Sequence, residues 1–183
     1  MNRYFILVLV IVLASIAPFS GTQAQDTAKA KKGLEKILGE HTLPTLTLRD
    51  MNGKEVNVAD LGKTGKITVL DFWATWCVPC KKELNNINEI YDDWKKKYNA
   101  VVIAVSIDDS RSIAKVKPYA DGQRWSYDIL LDVNQDLKRQ LNIQTVPFTV
   151  VLDQNGKIAY THNGYTEGDE NILEEAIAAM VKK

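Results

Sequence analysis

The chain has few side chains that bind metals through sulfur or nitrogen. Its 183 residues include two cysteines, Cys77 and Cys80, and two histidines, His41 and His162, neither of which is near the cysteines in sequence. A structural zinc site usually takes four such ligands. A c-type haem site needs histidine directly after the second cysteine of a Cys-x-x-Cys motif, and Lys81 stands there instead. We therefore expect neither a metal nor another cofactor.

The chain also lacks an excess of charge of either sign. Its 23 Lys and Arg residues balance 23 Asp and Glu residues, and the two signs are interspersed. The basic cluster at 29–32 lies in a polar stretch before the core. Proteins that bind nucleic acid generally carry a strong positive potential, so we expect no nucleic-acid partner.

The longest apolar run is at the N-terminus. Arg3 supplies a positive charge, residues 4–17 are apolar, Pro18 ends the run, and Thr22-Gln23-Ala24 fits a cleavage site. The run is shorter than the roughly 20 residues of a membrane-spanning helix, although an uncleaved anchor is the alternative. We interpret residues 1–24 as a cleavable signal peptide, which predicts a soluble, exported, periplasmic protein in a compartment where disulfides persist.

The remaining residues are predicted to form one α/β domain. Residues 25–42 are a polar leader, and residues 43–183 are long enough for one full core. Alternating strands and helices followed by a hairpin and a helix imply a mixed central sheet with helices on both faces. The predicted strands are 46–49, 56–58, 67–73, 100–107, 148–152 and 157–161, with 127–131 as a further short strand or an extended link. The predicted helices are 77–98, 110–120, 135–141 and 169–182.

Two local patterns refine this prediction. Asn52-Gly53 and Asn155-Gly156 are strong hairpin turn signals. In the last helix, helical spacing predicts a stripe of inward-facing side chains formed by Ile172, Leu173, Ala176, Ile177 and Met180.

The two cysteines form the motif Cys77-Val78-Pro79-Cys80 between a buried strand and a long helix. Unpaired backbone N–H groups and the helix dipole at a helix N-terminus stabilise a thiolate. This arrangement predicts a redox-active dithiol with Cys77 as the nucleophile. A purely structural disulfide is the alternative, but so short a loop constrains the unfolded chain much less than a long one.

One acid interrupts the apolar strand before the motif. Asp71 lies six residues before Cys77, where an unpaired carboxylate is costly to bury. A buried acid near a reactive group is a candidate for function. The alternative is an acid satisfied by a neighbouring lysine or by water.

The segment Val69–Cys80 resembles the active-site segment of the thioredoxin superfamily. Thr145-Val146-Pro147-Phe148 resembles the cis-proline segment of that superfamily, and residues 153–160 resemble its last hairpin. The export signal, the leading hairpin and the long interval between Cys80 and Pro147 resemble the TlpA/ResA-like branch. The resemblance implies a thioredoxin-like fold with an N-terminal β-hairpin and an inserted strand-helix unit.

The resemblance also implies a role for each cysteine and for the buried acid. Cys77 would attack a partner disulfide, and Cys80 would then attack Cys77 to release the reduced partner. The protein would be left with a redox-active Cys77–Cys80 disulfide. Asp71 would accept the proton of Cys80. An acid of the inserted segment, Asp109, would assist, with a helix cap as the alternative role for Asp109.

A substrate-binding surface follows from the same resemblance. Trp76 would form part of a flat apolar surface around Cys77 that meets the partner. Val78 and Pro79 are also assigned to substrate binding, and Pro79 would keep the turn of the motif rigid. The backbone of Val146, beside Pro147, would pair with an incoming peptide as a short strand. Phe72 and Trp73 are expected to pack in the core.

The resemblance predicts an exported thiol-disulfide oxidoreductase that reduces disulfides of other exported proteins. Cytochrome c maturation is a candidate setting, and a membrane thiol carrier would donate the electrons. Disulfide oxidation or isomerisation is an alternative, since direction depends on reduction potential. A thiol peroxidase is another, although Ala74 replaces the threonine of the Thr-x-x-Cys signature. A non-enzymatic module that binds Cu(I) or client proteins is the third.

Overall fold

The computed structural model describes residues 41–181. The predicted signal peptide, 1–24, and nearly all of the predicted leader, 25–42, lie outside the described residues. Across residues 41–181, no helix combines the length and apolar character needed to cross a membrane.

Seven strands form one mixed sheet with the order β2-β1-β5-β4-β3-β6-β7. The central strand β3 pairs in parallel with β4 and antiparallel with β6, and β4 pairs in parallel with β5. The remaining neighbours are antiparallel. The strands are β1 (Thr47–Asp50), β2 (Glu55–Asn57), β3 (Ile67–Trp73), β4 (Ala100–Ser106), β5 (Asp128–Leu131), β6 (Phe148–Leu152) and β7 (Ile158–Asn163).

Helices flank this sheet, and the longest one directly follows its central strand. They are α1 (Val58–Leu61), α2 (Val78–Tyr98), α3 (Val116–Gln123), α4 (Asp136–Gln140) and α5 (Asp169–Met180), with a 3₁₀ turn at Ile113–Lys115 before α3. Helix α2 packs against both β4 and α5. The predicted α/β class with a mixed sheet is confirmed.

Strand β3 forms the centre of the core and supports the cysteine motif. Every side chain from Ile67 to Trp73 is buried. Successive side chains of a strand point to opposite faces of the sheet, so the sheet is covered on both sides here. The core positions predicted for Phe72 and Trp73 are confirmed, because neither side chain is exposed.

The helix predicted at 110–120 begins later than expected. The carbonyl of Asp109 accepts hydrogen bonds from the backbone N–H groups of Ser112 and Ile113 in a turn, and α3 starts only at Val116. Pro118 explains the shift, because proline lacks an N–H and is tolerated in the first turn of a helix but not in its interior.

The predicted apolar stripe of the last helix is too wide. Leu173 and Ile177 of α5 are buried, but Ile172 is 51% exposed. Adjacent residues of a helix lie about 100° apart around its axis. Ile172 therefore lies beyond the edge of the surface that α5 buries, and its predicted inward position is wrong.

Candidate active site

Cys77 lies where β3 leads into α2 and is the N-cap residue of that helix. Its backbone N–H donates to the carbonyl of Ala74 at 3.0 Å, which closes the connecting turn. Its Sγ accepts a hydrogen bond from the backbone N–H of Cys80 at 3.3 Å. Pro79 occupies the first turn, where a missing N–H leaves no bond unmade. Thiol-disulfide exchange requires the attacking sulfur to be a thiolate. The N-terminus of the helix supplies a hydrogen-bond donor that stabilises this form of Cys77.

Cys77 and Cys80 are joined by a disulfide, and their Cα atoms are 5.4 Å apart. The two residues differ in accessibility, since Cys80 is fully buried whereas Cys77 is 5% exposed. Thiol-disulfide exchange requires one sulfur to approach another directly. Cys77 is therefore the accessible end of this disulfide.

An apolar surface adjoins Cys77. Trp76 is 62% exposed and Val78 is 71% exposed, and both are among the large apolar side chains that the fold leaves in solvent. Exposed apolar surface of this kind marks contact sites. Trp76 and Val78 directly precede and follow Cys77 in the chain, and their role in binding a substrate stays a prediction.

The predicted proline segment lies at the same end of β3 as the cysteine motif. The Val146–Pro147 peptide bond is cis, as predicted. Phe148 pairs with Phe72 in the sheet, so Pro147 comes at the carboxyl end of β3. The carbonyl of Pro147 accepts a hydrogen bond from the backbone N–H of Gly164 at 2.9 Å, which fixes the segment against the next loop.

Asp71 is buried in the middle of β3. Neither of its carboxylate oxygens has a hydrogen-bond partner among the described residues, and no lysine pairs with it there. Burial raises the pKa of Asp71 well above its usual range, and the nearby Glu83 carboxylate raises it further. This environment favours the protonated acid.

A second buried acid, Glu83, faces Asp71 from α2. Its Oε1 accepts a hydrogen bond from the Thr149 hydroxyl at 3.2 Å, and Thr149 pairs with Asp71 across β3 and β6. Burial raises the pKa of Glu83 to about 8, against the lowering effect of the Thr149 bond, and the first two acids of α5 raise it further. Glu83 follows Cys80 by three residues, so the two share the buried face of the helix.

The two acids together can hold and release a proton inside the fold. Two close carboxyl groups in a low-dielectric site do not both ionise readily. An acid whose pKa is near the working pH is suited to proton transfer. Glu83 is not among the site residues predicted from the sequence, although its spacing of three residues from Cys80 was a signal that could have identified it.

Asp108 fixes the loop that carries the cysteine motif. It is fully buried at the end of β4. Its carboxylate accepts hydrogen bonds from the backbone N–H of Thr75 at 2.9 Å, the Thr75 hydroxyl at 2.6 Å and the Ser106 hydroxyl at 2.9 Å. Thr75 lies two residues before Cys77, so this network connects β4 to the turn that positions the nucleophile.

Asp109 has a different environment from its neighbour. It is partly exposed and forms an ion pair with Arg111 at 2.7 Å. Hydrogen bonds from Arg111 and then from Ser112 hold the pKa of Asp109 below its usual range. An acid kept ionised in this way is a poor proton acceptor at neutral pH. The geometry favours the alternative of a turn-capping residue, and the assisting role of Asp109 stays a prediction.

Residues 40–161 match the AhpC/TSA family. The chain belongs to the AhpC/TSA family. Its fold and its Cys-x-x-Cys disulfide at a helix N-terminus agree with that membership.

Individual proteins similar to this chain indicate which kind of protein it resembles within the AhpC/TSA family. The chain is 28% identical over 154 residues to the thiol-disulfide oxidoreductase ResA of Bacillus thuringiensis (strain Al Hakam), with 84% of this chain and 83% of that protein covered. A solved thioredoxin-like protein from Porphyromonas gingivalis is 44% identical, with a TM-score of 0.69, over 76% of this chain and 91% of that chain. A putative thiol:disulfide interchange protein DsbE from Chlorobium tepidum is 26% identical, with a TM-score of 0.68, over 77% and 96% respectively.

These similarities confirm two predictions. The fold is thioredoxin-like, and the protein is a thiol-disulfide oxidoreductase.

Proposed function

We propose that this protein is exported and reduces disulfides of other exported proteins through the Cys77/Cys80 dithiol. The observation that carries the proposal is the asymmetric placement of the two cysteines. Cys77 lies at a helix N-terminus beside exposed apolar surface, whereas Cys80 is buried on the helix face that also carries Glu83. Partner exchange thus has an accessible sulfur, and proton transfer has a protected acid.

The reaction proceeds by two exchanges. The Cys77 thiolate attacks one sulfur of a partner disulfide, which forms a mixed disulfide and releases the other partner sulfur as a thiolate. Cys80 then loses its proton and attacks the sulfur of Cys77. The Cys77–Cys80 disulfide forms, the second partner thiolate leaves, and two electrons have passed from the dithiol to the partner.

The buried acids handle the proton of the second step. A buried thiol ionises reluctantly, so Cys80 needs a base. Asp71 was the sequence-based candidate, and the structure adds Glu83, whose pKa of about 8 leaves a fraction ionised at neutral pH that can accept the proton. We assign the proton to this carboxyl pair rather than to one member, because close carboxyl groups titrate together.

The partner binds across the end of the sheet. Trp76, Val78 and Pro79 provide the apolar contact around Cys77. The backbone of Val146, beside Pro147, pairs with the extended segment that carries the partner disulfide. Main-chain pairing of this kind gives affinity without demanding one sequence, which suits an enzyme with several partners.

Export and electron supply complete the proposal. The predicted signal peptide, residues 1–24, directs the protein to an oxidising compartment. Each turnover leaves the enzyme oxidised, so a membrane thiol carrier must return two electrons. The proposal includes cytochrome c maturation as the setting, which rests on the TlpA/ResA-like resemblance of the sequence.

A direct test uses residues 25–183, purified and reduced. We expect it to reduce a disulfide-bonded protein such as insulin in a single turnover, and we expect Glu83→Gln to slow the second exchange by roughly 100-fold. Rapid oxidation of reduced substrates would contradict the proposed direction. Rapid peroxide consumption would instead establish the peroxidase alternative. Detection of the signal-cleaved chain in the periplasmic fraction tests export separately.

A further inference from the structure

Two adjoining cavities extend from Trp76, the residue before Cys77. One has a volume of about 540 Å³ and is lined by Trp76, Pro118 and Tyr119 among others. The other has a volume of about 430 Å³ and includes Ile107 and Gln135 in its walls. Because Trp76, Ser112 and Lys115 line both, we treat the two as one groove and call it the Trp76 groove.

The Trp76 groove is suited to an extended peptide that leaves the Cys77 site. Trp76 and the ring of Tyr119 give it apolar walls. Most of its other residues come from the segment between β4 and the end of α3. The groove is therefore continuous with the surface on which exchange would occur, and its chemistry is set by that segment.

The rim of the groove carries unbalanced positive charge. Lys115 lines both cavities, is exposed, and forms no ion pair with any described residue. The Lys81 ammonium lies 5.3 Å from the centre of the Tyr119 ring, again with no acidic partner among the described residues. The acid that lines the groove, Asp109, is already neutralised by Arg111 at 2.7 Å.

This excess is local, because the whole chain has no net charge. A lysine on the same helical segment shows the contrast. Lys117 does not line the groove, and its ammonium forms an ion pair with Asp121 at 3.0 Å. Lys115 and Lys81 are thus available to pair with a partner that lies in the groove.

We propose that the Trp76 groove selects substrates that carry an apolar residue and an acidic residue close to the disulfide that is reduced. This inference rests on the proposed function, because it specifies the partner of the same site. The apolar side chain packs on Trp76 and Tyr119, and the carboxylate pairs with Lys115 and Lys81. Lys115 is the specificity-determining residue, since it lines both cavities.

The expected preference is moderate and sensitive to salt. Exposed ion pairs contribute about 0.2 to 1 kcal/mol each, or about 1.4- to 5-fold in rate or affinity. We therefore expect about a fivefold higher kcat/KM for an acidic substrate when both lysines engage it. Screening of exposed charges at high ionic strength should remove most of this factor.

The test uses two synthetic peptides that share one disulfide and one flanking tryptophan and differ only in Glu or Gln at the next two positions. Reduced wild-type protein should act on the Glu peptide about five times faster at low salt and about equally on both in 0.5 M NaCl. Lys115→Gln should reduce the low-salt preference to about twofold, and Lys115→Glu should abolish or reverse it. Lys117→Gln is the matched control and should keep the wild-type ratio.

The outcomes separate this inference from the proposed function. Equal rates on both peptides with the wild-type protein, or a Lys117→Gln ratio that falls as far as that of Lys115→Gln, would overturn the groove proposal while leaving the reductase intact. Failure to reduce either peptide and also insulin would overturn the proposed function and the groove proposal with it. Thermal unfolding of each variant checks that a lost preference does not reflect a lost fold.

Discussion

The two cysteines lie at a boundary between two chemically different regions. The region outside Cys77 consists of exposed apolar side chains, Trp76 and Val78, beside lysines without acidic partners among the described residues. The region inside Cys80 contains Asp71 and Glu83, both buried and both favouring the protonated state. Partner recognition and proton handling therefore use different sides of one disulfide. Substitutions on one side should affect one of these tasks and not the other.

The largest effect on activity should come from substituting one of the two cysteines at a time. In Cys80→Ala, the Cys77 thiolate can still attack a partner, but nothing releases the mixed disulfide. We expect turnover to fall by roughly a thousandfold or more, and we expect covalent complexes with partner proteins on non-reducing gels. Cys77→Ala is the matched control and should form none. Equal amounts of complex in both variants would contradict the assignment of Cys77 as the nucleophile.

The buried acids inside Cys80 should make the stability of the folded protein depend on pH. Glu83 has an unfolded pKa near 4.5 and a folded pKa of about 8. Below both pKa values Glu83 is protonated in the folded and in the unfolded protein, so it does not make the free energy of unfolding depend on pH. Between them the unfolded state releases its proton first, so the stability of the folded wild type falls as pH rises, and the loss is complete above about 8.

A neutral amide in place of the Glu83 carboxyl group has no proton to release, so it avoids this loss of stability at high pH. Glu83→Gln should match the wild type in free energy of unfolding near pH 5 and exceed it near pH 8.5 by on the order of 3 kcal/mol. Urea unfolding of the oxidised protein at the two pH values measures the difference. Glu167→Gln, an exposed change, should show no comparable gain. A difference between Glu83→Gln and wild type that does not grow with pH would contradict the buried-acid account.

The loop between the two regions should be sensitive to Asp108. Asp108→Asn replaces a carboxylate that accepts three hydrogen bonds, which should lower the free energy of unfolding by about 1 to 3 kcal/mol. It should also displace Cys77 and slow reduction of every disulfide, large or small. Asp128→Asn, at an exposed position of β5, is the control and should change both quantities little. Kinetics with insulin and with a small disulfide provide the readout, and a selective loss with insulin alone would argue against a positioning role.

The outer region should give the smallest effect. Trp76→Ala removes an exposed side chain, so the free energy of unfolding should change by less than about 0.5 kcal/mol. Its kcat/KM for a disulfide-bonded protein should fall about fivefold, because a tryptophan contact is lost. Its rate with a small soluble disulfide should not change. Equal losses with both substrates would show that Trp76 acts on the dithiol and not on the partner.

Patterns that depend on local spacing were predictable from the sequence. The apolar run at 67–73 became the central strand, and the cysteine motif lies at the start of the helix that follows it. The cis bond at Pro147 was implied by its sequence context. In each case the residues that define the feature are neighbours in the chain.

Features that depend on contacts between distant elements were harder to predict. Glu83 follows Lys81 and Lys82, so the run resembles a solvated helix face, and only the packing of α2 over Thr149 shows that it is buried. Asp108 and Asp109 look equivalent in sequence, yet only Asp108 meets the Thr75 loop.

The measurement that tests the central claim most directly is the reduction potential of the Cys77–Cys80 couple. Residues 25–183 would be equilibrated in thiol-disulfide buffers and followed by tryptophan fluorescence, since Trp76 directly precedes Cys77 and Trp73 lies four residues before it. The proposed reductase predicts a value near the roughly −270 mV of thioredoxin. A value near the roughly −120 mV of a strong oxidant would contradict it and would identify a disulfide donor.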